Sequence, residues 1–259
     1  MRRPADGEGS AADVEGAAAY AERALKIVAD EVIPAYRRIG DYLAEIRGSA
    51  PHEAGIWRLP KGEALYAAMV RQMTDSEQSP EEVHQIGLDE VARITAEMDA
   101  ILESEGYTEG SVGERMQQLG LEERFVYPNT PEGKAALIAD ASAQVDEIKA
   151  VLPKWFATMT KYPVEVKAVP GYSQDSAPTG YYDPPAKDGS RPGVYWINVR
   201  DTAVHPRFAL PTLTYHEAVP GHHYQLSVQR EQKDLPFFRR LIPFPAYSEG
   251  WALYAERVA

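Results

Sequence analysis

The sequence predicts a mainly α-helical protein with a small embedded β-sheet. Three observations lead there. Apolar residues recur at steps of three and four through much of the first half; proline sits directly after a capping residue at two helix starts; and the composition turns toward Pro, Gly and Tyr only between Tyr162 and Asp201.

Residues 1–16, rich in Gly, Ala and acidic side chains, read as a flexible N-terminus. From Ala17 to Arg47, Leu25, Val28, Val32, Tyr36, Ile39, Leu43 and Ile46 form the stripe of an amphipathic helix, which Pro34 should kink. A loop from Gly48 to Pro60 precedes a short helix near Glu63 to Met73. Ser79-Pro80-Glu81-Glu82 is a capping box, with Ser79 at the N-cap and Glu82 reaching back to it. The helix it opens should turn Val83, Ile86, Val91, Ile94, Met98 and Ile101 inward. Thr130-Pro131-Glu132 starts another, running to about Ala150. The sheet is expected within about 162–201, from the β-prone runs Val164 to Val169 and Val194 to Val199, and helices should resume over about 208–259.

At 259 residues and 44% hydrophobic composition the chain can bury a core, which excludes disorder. Its 27 Lys and Arg against 39 Asp and Glu leave a net charge of −12, which weighs against nucleic acid or an anionic membrane as partner. There is no cysteine, so any metal must sit on His and carboxylates. The stretch after Met1-Arg2-Arg3-Pro4 has no apolar signal region and no segment is apolar enough to span a membrane, so the default location is cytoplasmic.

The chemistry is concentrated near the end. Three of the six histidines fall within Thr214-Tyr215-His216-Glu217-Ala218-Val219-Pro220-Gly221-His222-His223. In the HExxH zinc arrangement the second His lies at i+4, where about 400° of helical rotation returns it to the same face. Here that position is Pro220. On a regular helix His222, at i+6, would point about 120° away, while His223, at i+7, would share the face but lie about 10 Å along the axis. Pro220 lacks an N–H and clashes with the preceding turn, and Gly221 frees the backbone, so a bulge between the histidines is expected. A bulge that absorbs two residues would bring His216 and His222 onto one ion. The best third ligand is Glu249 in Ser248-Glu249-Gly250-Trp251-Ala252-Leu253-Tyr254-Ala255-Glu256; Glu256, seven residues on, shares its face and is either a solvated acid or a group that orients a ligand histidine. Glu217 is then the general base, taking a proton from metal-activated water.

The run HEAVPGHHYQ, followed by EGWALYAE, resembles the signature of the bacterial DUF885 family, itself similar to HExxH peptidases of the thimet oligopeptidase and Taq carboxypeptidase type. SPEEVHQIGLDEV, VKAVPGYSQDSAPTGYY and RPGVYWINVRD also resemble it, so the likeness extends from about residue 60 to the last residue. It implies a zincin-like helical metallopeptidase fold with a deep cleft, one zinc held by His216, His222 and Glu249, Glu217 as base, and a strand near Tyr195 to Val199 along whose edge an extended peptide adds. The two-residue insertion leaves His222 and His223 both in view, with His222 favoured because it follows glycine. Members of the family look about twice as long, and Arg257-Val258-Ala259 ends within an apparent helix, so the chain reads as an N-terminal piece whose parent carries further helices and a leader.

His52, His84 and His205 read as packed or solvated residues, and Trp251 and Tyr254 as core. His223 is open between ligand, ligand support and substrate contact. Tyr181, Tyr182, Tyr195 and Asn198 are cleft residues or simply strand residues. The expected function is zinc-dependent hydrolysis of a peptide or another amide; the rival is a catalytically incomplete module that binds metal without turnover, or a scaffold without metal.

Overall fold

A computed structural model describes residues 11–240, 242 and 244–259. The chain divides into two compact units, residues 1–62 and 63–259. Residues 1–10 of the expected flexible N-terminus lie outside the described residues, and from Ala11 the backbone is helical.

The first unit holds helix α1 (Ala11–Ile27), a π-helical turn (Val28–Val32) and helix α2 (Ile33–Arg47). The proline expected to kink the helix is Pro34, and the adjustment falls in the turn before it. A proline has no N–H to offer and its ring crowds the carbonyl of the preceding turn, so widening that turn lets the helical path continue. Leu25, Tyr36, Ile39 and Leu43 on the expected stripe are exposed.

The second unit begins with α3, whose range Gly62–Thr74 starts one residue before it, then α4 (Pro80–Ser104), α5 (Val112–Leu121) and α6 (Pro131–Val151). The Ser79 capping box is present in full: Ser79 Oγ accepts from Glu82 N at 3.1 Å, and Ser79 N donates to Glu82 Oε2 at 2.7 Å. The inward face expected for α4 is a correction. Ile86, Val91, Ile94 and Ile101 are exposed, and Leu102 is the side chain this helix buries. Periodicity identified an apolar stripe but not what it packs against. Helix α5 was not anticipated, although Ser111 and Glu114 form a second capping box of the same kind. In α6 Gly133, Leu137, Ala141 and Val145 recur every fourth residue and are all buried, which makes this helix the spine of the core.

The sheet has three strands, β1 (Val164–Ala168), β2 (Gly180–Asp183) and β3 (Gly193–Ile197), in the order β1-β3-β2. β3 pairs in parallel with β1, Val166 opposite Tyr195, and antiparallel with β2, Tyr182 opposite Tyr195. β3 is therefore central and hydrogen-bonded on both sides, so it has no free edge along which a peptide could add; that expectation is corrected. β2 was not separated from its Pro- and Gly-rich surroundings in sequence. Three helices follow: α7 (Leu210–Glu217), α8 (His222–Glu231) and α9 (Pro245–Val258). α7 packs against α6, β2 and α9, and α8 against α9. The core joins Leu137, Ala141 and Val145 to Tyr195, Ile197, Leu210 and Tyr224. The chain is thus mainly helical with a small mixed sheet, and among the described residues no helix is long and apolar enough to cross a membrane.

Candidate metal centre

Between the two histidine-bearing segments the helix does not bulge; it stops and restarts. α7 ends at Glu217, Ala218 and Gly221 take non-helical angles, the Val219–Pro220 peptide is cis, and α8 starts at His222. The expected two-residue bulge is thus replaced by a four-residue link between separate helices. Gly221 is required by close approach: a Cβ there would lie 1.9 Å from the His216 carbonyl oxygen and 2.3 Å from that of Tyr215. The absence of a side chain lets α8 begin directly against the end of α7.

This link sets the two imidazoles edge to face, with ring centroids 4.7 Å apart at 87°. Glu249, from the second turn of α9, brings Oε2 to 3.6 Å from His216 Nε2 and 3.5 Å from His222 Nε2. One ligand-type atom from each of the three residues lies within 4.8 Å of the others. In a tetrahedral zinc site with bonds of about 2.0 to 2.1 Å, neighbouring ligand atoms stand about 3.4 Å apart, so both His–Glu separations fit one edge of such a site and the donor set suits the ion.

Protonation follows from the partners. His216 Nδ1 lies 2.7 Å from Glu256 Oε1, and because a carboxylate only accepts, Nδ1 donates there and the ring turns Nε2 to the side of Glu249. Burial holds the His222 imidazole below its ordinary proton affinity, with Glu249 opposing and His216 adding to that effect. His222 Nδ1 is buried without a partner among the described residues. Glu217, last residue of α7, is 8% exposed, and its carboxyl is pushed up to about 7. Desolvation is the main cause; the neighbouring His216 opposes it and the charge of Glu249 adds to it.

The remaining sequence candidates lie elsewhere. His223 is 1% exposed and engaged at both nitrogens. Its Nε2 lies 3.0 Å from the Tyr162 carbonyl, so it donates there, and Nδ1 accepts from the Tyr182 hydroxyl at 2.8 Å. Neither nitrogen has a lone pair left for a ligand, and desolvation pushes the ring down to about 4. Gly193 makes room for this pair: a Cβ would meet Tyr182 Oη at 2.5 Å and His223 Nδ1 at 2.8 Å. Tyr182 thus bonds His223 rather than lining a cleft. Asn198 donates through Nδ2 to the carbonyls of Gln174 and Ala177 and accepts from Arg200 N, which ties down the loop before β2. Tyr195 is fully buried, its hydroxyl without a partner among the described residues. Tyr181 stacks on Trp196 across the sheet. Trp251, read as core, donates Nε1–H to the Pro220 carbonyl at 2.8 Å and so braces the link between the histidines from α9. No sequence signal distinguished that role from ordinary packing.

Fold and cluster together describe a helical protein with a two-histidine, one-carboxylate constellation built on a broken helix. The chain belongs to the family described as bacterial protein of unknown function, DUF885, which matches residues 2–259. It is similar to a solved structure titled "The crystal structure of the putative lipoprotein from Colwellia psychrerythraea", with 49% identity and a TM-score of 0.87 over 90% of this chain. The match covers 40% of that protein, so this chain spans less than half of its neighbour's length. No curated protein matches the chain.

Proposed function

We propose that the chain holds one zinc ion on His216, His222 and Glu249 and hydrolyses an amide bond, a peptide bond foremost, with Glu217 as general base. The observation that supports this most is the convergence of three ligand-type atoms from three helices, with Glu249 Oε2 3.6 and 3.5 Å from the two imidazole nitrogens. Two imidazoles and a carboxylate favour zinc over manganese or cobalt and leave one coordination position open. When bound, the ion would polarise the carbonyl and acidify a water molecule. Water adds its oxygen to the carbonyl carbon; Glu217 holds the proton it releases and delivers it to the departing nitrogen as the C–N bond breaks. A carboxyl with raised proton affinity suits both halves of that transfer. Glu256 keeps His216 in the tautomer whose Nε2 is free to coordinate.

A zincin-like assignment of the fold, and a longer parent protein that completes the cleft, belong to the same reading. The neighbour's title as a lipoprotein supports a setting outside the cytoplasm over the cytoplasmic default. Zinc content of the wild type against His216→Ala tests the site, and peptide hydrolysis against Glu217→Gln tests the chemistry. Stoichiometric zinc lost in His216→Ala, with hydrolysis lost in Glu217→Gln, is the expected pair of results. Zinc without any difference in hydrolysis marks a non-catalytic metal-binding module, and no retained zinc rejects the site.

A further inference from the structure

β1 is an edge strand: it pairs with β3 on one side and with no strand on the other among the described residues. Gly193 N donates to the Pro163 carbonyl and Val169 N to the Ile197 carbonyl, both at 2.9 Å, which fixes the phase of the parallel ladder. Residues 163, 165, 167 and 169 therefore turn their backbone polar groups to β3, and the N–H and C=O of Val164, Val166 and Ala168 point away from it. No backbone group bonds these among the described residues.

An open recess of about 330 Å³ follows the strand, lined by Val164, Glu165, Val166 and Lys167, with Ser142 and Asp146 of α6 across it. Consecutive residues of a strand face opposite sides of the sheet, so a space that touches all four runs along the edge rather than over one face.

Such an edge is a template for another strand, and charge is a common guard against that. Guarding against a second copy by repulsion needs charges of one sign, whereas β1 carries one of each: Glu165 and Lys167, half-exposed and 2.5 Å apart. Its sequence, VEVKA, is self-complementary. Antiparallel pairing about Val166 sets Val166 opposite Val166 and Val164 opposite Ala168, and these are the residues whose N–H and C=O point outward, so they form the hydrogen-bonded pairs. Glu165 then falls opposite Lys167 of the second copy, at the non-hydrogen-bonded positions where side chains come closest. Centring the pairing on Glu165 or on Lys167 keeps the hydrogen bonds but sets like charges opposite each other.

We propose that two copies of the chain associate through β1, antiparallel about Val166, and join their sheets into one. The contact uses none of the metal-site residues and is independent of the hydrolase reading.

Sedimentation velocity on the full chain from about 1 to 100 µM tests it, and monomer is expected to give way to dimer as concentration rises. Lys167→Glu sets acid against acid on both sides of the two-fold and should weaken association about tenfold. Glu165→Lys combined with Lys167→Glu restores the opposite pairing and should recover the dimer. Val166→Pro removes an outward N–H while sparing the bonds to β3, and should abolish association with circular dichroism unchanged. A chain that stays monomeric up to about 100 µM, whether or not it takes up a labelled VEVKA peptide, overturns the proposal. So does a dimer indifferent to Lys167→Glu, whose exposed position keeps that variant folded if Val166→Pro is not.

Discussion

Glu256 Oε1 and His216 Nδ1 are 2.7 Å apart, and this bond turns the opposite nitrogen of the ring to within 3.6 Å of Glu249. Two acids seven residues apart on α9 thus act on the two ends of one imidazole. Glu256→Gln is expected to weaken zinc binding by about 10- to 100-fold while the protein stays folded, because a neutral amide accepts from His216 Nδ1 more weakly than a carboxylate and can also turn its NH₂ group there. Competition with a chelator of known affinity measures this; unchanged affinity would make Glu256 an ordinary surface acid.

The two histidines next to one another differ in role. His222 offers Nε2 to the cluster, whereas both nitrogens of His223 are committed to Tyr162 and Tyr182. His222→Gln should abolish stoichiometric zinc, and Tyr182→Phe should leave zinc in place while lowering unfolding free energy by about 1 to 3 kcal/mol, since a buried ring nitrogen loses its donor. Metal analysis beside denaturant melts separates the two effects, and zinc loss in Tyr182→Phe would count against the division.

Gly221→Ala places a methyl group 1.9 Å from the His216 carbonyl oxygen, a backbone atom that cannot turn aside. Separation of α7 from α8 is the only relief. A destabilisation of about 3 kcal/mol is expected, together with loss of metal, because the same movement parts His216 from His222. Thermal unfolding and zinc content, read on the same sample, check both.

Stability should fall on mild acidification. His223 and His205 are buried, and desolvation lowers both pKa values, to about 4 for His223. Their unfolded-state affinity lies near the usual value of about 6.5, so above that pH neither state takes the proton and the stability contribution is whole. Below it the unfolded chain binds protons that the native rings refuse, and stability declines until the folded-state value is reached. For His223 the loss between about pH 6.5 and 4 is on the order of 3 kcal/mol. Denaturant midpoints across that range measure it, and a smaller slope in His205→Gln identifies the second contributor.

Local rules carried much of the architecture. Both proline-led caps, at Ser79 and Thr130, open helices where the residue pattern places them, since capping depends on neighbours three residues apart. β-branched runs mark β1 and β3, but β2 is four residues of Gly, Tyr, Tyr and Asp, and only pairing with β3 makes it a strand. The apolar stripe of α4 shows the opposite limit: periodicity reports that a face is apolar, not that the face is covered.

The sequence by itself determined the helical class, the family and the chemical inventory of the cluster, because caps, periods and the HEAVPGHH and EGWALYAE runs are short-range properties of the chain. Only the tertiary structure decided how the histidines meet. Helical geometry fixes angles within one helix, and here the helix ends; the meeting of His216 and His222 rests on Gly221 lying against the His216 carbonyl and on Trp251 of α9 bracing Pro220. The second of these joins residues about 30 positions apart, and no local pattern encodes a packing distance across such a separation.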